Sequence, residues 1–413
     1  MNAWDSGTIT ARPQIRGETT ASDTQHYIEA VEDTRPKVLF SVTSSESYGL
    51  LQPVIETFLD GGWNVTVVSG ASASQTKLPH GAHTVKVRLS RSLSLRSILV
   101  SFVDVLVVLR TSRPDVLVAA TPVASFVTMI CAWLTRVPTR IYHVWGCRWE
   151  SMRGPRRLAT RLADQITALL STEVLCVSWS LAELMRTSTA ARSRVRVLGF
   201  GGQKGVQLNK FFPVDRSPEP QAPRLGYLGR VAHDKGIGDL LTILDLVRLK
   251  MPGAHLAICG DLDTSDPVSP QVLERLHNDA NVSWNRDRGG GDVVPFLHGI
   301  DVFVFPSRRE GLPNAVIEAA ATGLPTVAAN ATGTCDAVEH GVTGFLYQPA
   351  RPQDAASLIR RLVEDSELYQ SFAMSSVGFV EQRFSSERVI QEMVEHVTNL
   401  RTSAQTRSRR RHR

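Results

Sequence analysis

From Lys37 onward, short apolar runs alternate with longer stretches of mixed polarity. "KVLFSVT" (37–43) is a continuous β-rich run, and "LLQPVIETFLDGGW" (50–63) reads as a helix stopped at Gly61 and Gly62. "NVTVVS" (64–69), "PDVLVAA" (114–120), "TRIYHVW" (139–145), "EVLCVS" (173–178) and "VRVLGF" (195–200) continue the series, with helical stretches between them. Runs that are apolar throughout, rather than at every second position, are those of strands buried on both faces. Strands that alternate with helices imply a parallel sheet covered by helices on each side.

The pattern breaks at "NKFFPVDRSPEPQAPR" (209–224), which is polar and proline-rich, as linkers are. A second series follows: "RLGYLG", "HLAICG", "VSWN", "DVFVFPS", "PTVAAN" and "GFLYQ" as strands, then a helical stretch from 352 to about 401. The expected plan is a disordered segment (1–35), a first Rossmann-like domain (36–208), a linker (209–223), a second Rossmann-like domain (224–400) and a basic disordered tail (401–413). The last helix is placed to pack back on the first domain. Two doubly wound α/β domains would face each other across a cleft, since ligands in such sheets bind beyond the carboxyl ends of the strands.

Length agrees: 413 residues exceed one ordinary hydrophobic core. The most apolar segment, "SILVSFVDVLVVLR" (97–110), is too short to span a bilayer and contains Asp104, so it reads as a buried or surface-docked helix. The first 35 residues lack the apolar core of a signal peptide. Five scattered cysteines (Cys131, Cys147, Cys176, Cys259, Cys335) suit a reducing, cytoplasmic setting and form neither a disulfide frame nor a zinc site.

Charge changes the picture only locally. Of the net +6, six arginines (Arg401, Arg407, Arg409, Arg410, Arg411, Arg413) lie in the last thirteen residues, leaving 40 basic and 40 acidic residues in 1–400. A neutral body with a basic tail argues against a nucleic-acid binder; the tail suits either anionic lipid or simple solubility. A second cluster sets seven arginines (Arg136, Arg140, Arg148, Arg153, Arg156, Arg157, Arg161) against Glu150 alone. It fits an anionic membrane surface, an anionic acceptor or an ordinary solvated face.

Candidate chemistry gathers in the second half. "GYLGRVAHDKGIGDLL" (226–241) joins a strand to a helix through Gly229, Arg230 and Lys235, a glycine-permitted approach with two cations that suits a diphosphate. No GxxxxGK[ST] motif is present, so a P-loop ATPase is unsupported. "PSRREGLPNAVIEAAATGLPTVAAN" (306–330) places Glu310 on a turn and Glu318 in the following helix, with Gly311 expected to permit a tight bend and Pro313 in the first helical turn. A carboxylate near the helix start can accept from a ribose diol, and one on the loop can reach sugar hydroxyls. The spacing also fits one solvated glutamate beside one that favours a helix N-terminus. "DLDTSDP" offers Asp261 and Asp263, but its register lacks the glycine and glutamate of a calcium loop, and no metal is expected.

The acid pair followed by "GLPTV" and "GVTGFL", together with "GRVAHDKG", "GDLDTSDPVSP", "IYHVWGCRWE" and "GGQKGVQLNKFFP", resembles the retaining glycosyltransferases of family four, which have the GT-B fold. The resemblance covers nearly all of 37–400 and is greatest to bacterial enzymes that build polysaccharide on polyprenyl diphosphate. It implies a UDP-sugar donor in the second half and a lipid-linked or glycan acceptor in the first, with no cofactor and no nucleic-acid partner. It implies that Arg230 and Lys235 bind the diphosphate beside Gly229, that Glu310 contacts the donor sugar, that Glu318 holds the ribose, and that backbone amides near Leu312, Pro313 and Asn314 meet phosphate or sugar. It also implies front-face attack, with the departing phosphate helping to take the acceptor's proton. Three features depart from the family's pattern. The first loop has Gly49 alone, Trp145 stands where relatives carry histidine or arginine, and "GGQKG" replaces a small-polar loop. His143, two residues before Trp145 and on the same strand face, is the catalytic candidate of the first half. Gly49, Arg148 and Glu150 are candidate acceptor or phosphate contacts. The expected location is cytoplasmic, peripheral on the inner face of the plasma membrane. The alternatives are a sugar-nucleotide epimerase or hydrolase on the same fold, for which no second acid–base set is visible, and a nucleic-acid binder, which the neutral body disfavours.

Overall fold

The structure, a computed structural model, describes residues 34–70, 78–89, 95–286 and 292–411. The segment expected to be disordered, 1–35, lies almost wholly outside the described residues. The first half comprises β1 (Lys37–Ser44), α1 (Tyr48–Asp60), β2 (Asn64–Gly70), β3 (His83–Lys86), α2 (Leu95–Ser112), β4 (Val116–Ala120), α3 (Pro122–Leu134), β5 (Thr139–Val144), α4 (Gly154–Leu170), β6 (Glu173–Cys176), α5 (Trp179–Ser188) and β7 (Val195–Arg196). The second comprises β8 (Arg224–Leu228), α6 (Ile237–Arg248), β9 (His255–Cys259), α7 (Pro270–Asn278), β10 (Val282–Asn285), α8 (Val294–His298), β11 (Val302–Phe305), α9 (Asn314–Ala321), β12 (Thr326–Ala329), α10 (Thr334–Ala337) and β13 (Gly344–Tyr347). Three helices close the chain: α11 (Pro352–Glu364), α12 (Ser366–Arg383) and α13 (Ser386–Arg411).

Two parallel sheets result, ordered β3-β2-β1-β4-β5-β6-β7 and β10-β9-β8-β11-β12-β13. The strand order reverses between β1 and β4 in one sheet and between β8 and β11 in the other. Loops leaving the carboxyl ends of the strands at such a switch point diverge and open a crevice. The loops after β8 and β11 are the two that carry the candidate donor residues.

The buried strands match the apolar runs because both faces are covered. Every residue of β1 after Lys37 is buried, as are all of β4 and β11. The short edge strand β3 was not anticipated. Its residues are exposed except for the half-buried Val85, so it carries no apolar run to read. The linker region contains no helix or strand, yet it is pinned: buried Arg216 donates to the carbonyls of Thr322 and Leu297.

The tail differs from expectation. Arg401–Arg411 is not an irregular extension but the last turns of α13. No glycine or proline interrupts 386–411, so nothing stops the helix. Ile390, Met393 and Val397, at helical spacing, bury one face of α13 in the core formed by β1, β2, β4 and α1 of the first half. Arg401 Nε donates to Asp115 Oδ2 at 3.1 Å, anchoring the start of the basic segment. The chain therefore crosses between the halves twice, once along the linker and once between α12 and α13.

Candidate active site

β8 delivers Gly229 to the crevice, and the loop beyond it returns into α6 through Gly236. Gly236 has φ +72°, and a Cβ there would lie 2.4 Å from the Pro306 carbonyl oxygen. Only glycine allows both the left-handed backbone and this approach. The loops after β8 and β11 are thereby pressed together. A Cβ on Gly229 would meet the buried Tyr227 hydroxyl at 2.5 Å.

This contact brings Lys235 and Glu310 within one hydrogen bond. Lys235 Nζ donates to Glu310 Oε1 at 2.6 Å, and Ser307 Oγ donates to the same oxygen at 2.7 Å. Both charged side chains are mostly buried, at 12% and 16% exposure. The Glu310 backbone N–H donates to Thr332 O at 2.9 Å, which fixes the turn. Arg230 is exposed and paired with Asp263, whose other oxygen accepts from Ser265 N–H and Oγ. Both oxygens of Asp263 are thus occupied by protein groups.

Glu318 sits in the second turn of α9, buried, and pairs with Lys204 Nζ at 3.2 Å. Lys204 comes from the loop "GGQKG" of the other half, where Gly201, Gly202 and Gly205 all have positive φ. A Cβ on Gly201 would meet the Val177 carbonyl at 2.2 Å, so the loop is threaded tightly against the residue that follows β6. Sequence reasoning placed this loop in the family pattern but did not connect Lys204 with Glu318. The only signal was a cation framed by glycines. At the start of α9, Leu312 and Pro313 are buried, and Asn314 has a buried Oδ1 with no protein partner. Pro313 has no N–H, so of this trio only Leu312 and Asn314 can offer backbone amides.

Gly311 has a different duty from the one expected. Its φ is not positive, so no glycine-only bend occurs there. A Cβ at Gly311 would instead lie 2.2 Å from the Trp145 carbonyl oxygen. Gly333, with φ +76°, approaches equally closely from the other side: its Cβ would be 2.2 Å from Gly311 O. Ser178 Oγ donates to Gly311 O at 2.6 Å, and Ser180 Oγ accepts from Gly333 N–H and bonds Asp336. The turn between the two glutamates is therefore a point of close backbone contact between the halves.

The first-half candidates fall into separate places. Glu150 reaches the second half: Oε1 accepts from Thr332 Oγ1 at 2.6 Å, while buried Oε2 has no partner. Burial pushes its carboxyl above the ordinary range, partly offset by the Thr332 hydrogen bond and by Arg309. Arg309 itself joins the halves, donating to Ser151 Oγ at 2.8 Å and to Asp234 Oδ2 at 2.7 Å. Arg148 is exposed beside Glu150. Gly49 lies in the first turn of α1, exposed, and a Cβ there would meet nothing within 4 Å, so the fold itself does not require glycine. His143 is buried beside a small cavity lined by Cys176, Gly202, Gln203, Glu392 and Met393. Its Nδ1 accepts from Trp145 Nε1 at 3.1 Å, so the neutral ring carries its proton on Nε2. Burial lowers its pKa to about 4. At neutral pH His143 is a hydrogen-bond donor and not a base ready at Nδ1, and no described contact joins it to Glu310 or Lys235.

Two facing doubly wound domains, with a cation–carboxylate pair at one switch point and a carboxylate on the next helix, define a GT-B glycosyltransferase. Comparison with known proteins agrees. The family model described as "Glycosyl transferases group 1" matches residues 212–376, and "Glycosyl transferase 4-like" matches 37–174. The capsular polysaccharide biosynthesis glycosyltransferase CapM of Staphylococcus aureus is 29% identical over 366 residues, 86% of this chain and 95% of CapM. The N,N'-diacetylbacillosaminyl-diphospho-undecaprenol alpha-1,3-N-acetylgalactosaminyltransferase of Campylobacter jejuni is 26% identical over 215 residues, 49% of this chain and 54% of that enzyme. Among solved structures, HepE of Anabaena in complex with UDP and glucose superposes with a TM-score of 0.72 at 20% identity, covering 88% of this chain and all of HepE's. The chain belongs to the family-four type of GT-B glycosyltransferases.

Proposed function

We propose that this enzyme transfers a hexose or N-acetylhexosamine from a UDP-sugar to a lipid-diphosphate-linked glycan, with retention of the anomeric configuration and without a metal, in polysaccharide assembly at the inner face of the plasma membrane. The observation that carries the reading is the Lys235–Glu310–Ser307 cluster, held by the Gly236–Pro306 contact at the second switch point. The resemblance to CapM and to the Campylobacter transferase supports the pathway and the carrier.

In this reading the C1–O bond to UDP breaks while the acceptor oxygen bonds C1 from the same face. The acceptor's proton passes to the departing phosphate oxygen. Negative charge grows on that phosphate, and fixed positive charge lowers the barrier because it is already in place. Lys235, Arg230 and the amide end of α9 supply it. Glu310, anchored by Lys235 and Ser307, orients the sugar hydroxyls. Glu318 accepts from the ribose diol, with Lys204 holding its carboxylate. Glu150 and Arg148 lie on the acceptor side.

The test is transfer by the full chain from a panel of radiolabelled UDP-sugars to a polyprenyl-diphosphate-linked acceptor, with and without EDTA, followed by determination of the product anomer. EDTA-resistant transfer giving an α-linked product is expected. An inverted anomer would overturn retention, EDTA sensitivity would overturn metal independence, and no transfer from any donor by folded protein would overturn the reading as a whole.

A further inference from the structure

The outer layer on one face of the first sheet is formed by α2, α3 and α4, with α3 packed between the other two. Their inner sides bury Val105, Leu109, Val127 and Met129. Their outer sides are also apolar. Leu99, Val103 and Val107 lie one helical turn apart on α2 and are 66%, 57% and 55% exposed. Trp133 and Leu134 end α3, and Leu158, Leu162 and Leu169 line the exposed side of α4. A contiguous apolar layer of this kind marks an interaction surface, whereas isolated exposed leucines do not.

Charge identifies the partner. α3 carries no ionisable carboxylate or cation. The one carboxylate of α2, Asp104, is held by Arg88 through two hydrogen bonds of 2.9 and 2.6 Å. The one carboxylate of α4, Asp164, is buried and accepts from Tyr142 and Trp149. The exposed charges around the stripe are arginines: Arg110 in the last turn of α2, Arg113 and Arg136 just beyond the carboxyl ends of α2 and α3, and Arg153, Arg156 and Arg157 at the amino end of α4. Apolar side chains flanked at both ends by uncompensated cations, with a tryptophan at the border, are the composition of an element lying in an anionic bilayer interface.

We propose that the α2–α3–α4 face docks this enzyme on an anionic lipid bilayer, with Leu99, Val103, Trp133, Leu158 and Leu162 entering the interface and the arginines meeting lipid phosphates. The proposal deepens the reading of a lipid-linked acceptor and rests on it for its purpose. These helices run antiparallel to the parallel strands, so the amino end of α4 and its arginines lie on the rim from which the cleft opens. A diphosphate carried at the bilayer surface is thereby presented beside Arg148 and Glu150.

The test uses the full chain and sedimentation with vesicles of phosphatidylcholine, alone or containing phosphatidylglycerol, alongside UDP affinity measured without lipid. Wild type should bind the phosphatidylglycerol vesicles and bind pure phosphatidylcholine far less. A Val103→Glu/Leu162→Glu variant and an Arg156→Ser/Arg157→Ser variant should each partition about ten-fold less, with unchanged UDP affinity. A Arg407→Gln/Arg409→Gln/Arg410→Gln tail variant should retain most of the binding. Equal vesicle binding by wild type and both face variants, or binding lost only in the tail variant, would overturn the proposal. So would a lipid-free dimer that the Val103→Glu/Leu162→Glu change dissociates, which would assign the face to a second copy of the chain. Vesicle binding that depends on the face in a protein without UDP affinity would support the lipid surface while removing the transferase reading.

Discussion

The Lys235–Glu310 pair makes opposite demands on substrate binding and on transfer, which allows a sharp test. At 2.6 Å and an effective dielectric of about 20, the gross attraction is about 6 kcal/mol. Removing both groups from water offsets most of it, and a charge-assisted hydrogen bond of this kind contributes about 1.5–3 kcal/mol net. A double-mutant cycle of Lys235→Ala, Glu310→Ala and both together should therefore give a coupling of about 2 kcal/mol in urea unfolding. The single variants should diverge in function. Lys235→Ala removes a cation from the proposed phosphate site and should weaken UDP binding and slow transfer. Glu310→Ala leaves Lys235 free for the diphosphate, so UDP binding measured by calorimetry should hold or tighten. Its transfer rate should fall by about 100-fold, the loss of one transition-state contact worth about 3 kcal/mol. A coupling below about 0.5 kcal/mol, or equal weakening of UDP binding by both single variants, would refute the argument.

Other outcomes follow from the same contacts. Glu318→Ala should raise the KM for the donor by about ten-fold with a smaller change in kcat, and Lys204→Met should reproduce part of that effect; steady-state kinetics with varied donor would show a kcat-only effect if the pair lies outside the ribose site. Gly311→Ala forces a Cβ against the Trp145 carbonyl, so it should destabilise the chain by about 1–3 kcal/mol and lower kcat/KM by about ten-fold or more, and a variant as active and stable as wild type would remove the contact between halves from the account. Two buried groups oppose each other in acid. His143, lowered to about 4, costs stability as pH falls below 6.5, because the unfolded state takes up the proton first. Asp164, raised by burial to about 6, adds stability as pH falls through that value towards 3.8, because the folded state takes up the proton first. Each contributes about 3 kcal/mol, so these two contributions nearly cancel in this window, while His143→Asn should gain about 3 kcal/mol relative to wild type between pH 7 and pH 4. A constant difference between the two proteins across that range would show that His143 is not buried neutral.

By itself the sequence determined the strand series, the break near 209 and the family of the chain. Those features are local: a strand buried on both faces must be apolar along its length, and the spacing of Glu310, Gly311 and Glu318 is read directly from the chain. Signals that depend on one face or one edge were weaker. The exposed β3 carries no apolar run, and the arginine tail reads as unstructured until α13 is seen to run through it. Tertiary structure alone decided which groups meet. Lys235 and Glu310 are 75 positions apart and Lys204 and Glu318 are 114 apart, and each pair forms only when separate loops are brought together. The same holds for Gly311, which looked like a bend residue but is glycine because a carbonyl from the other half occupies the space of its Cβ. His143 likewise changed meaning, since burial beside Trp145 sets its protonation, and burial is a property of everything packed around it rather than of the strand that carries it.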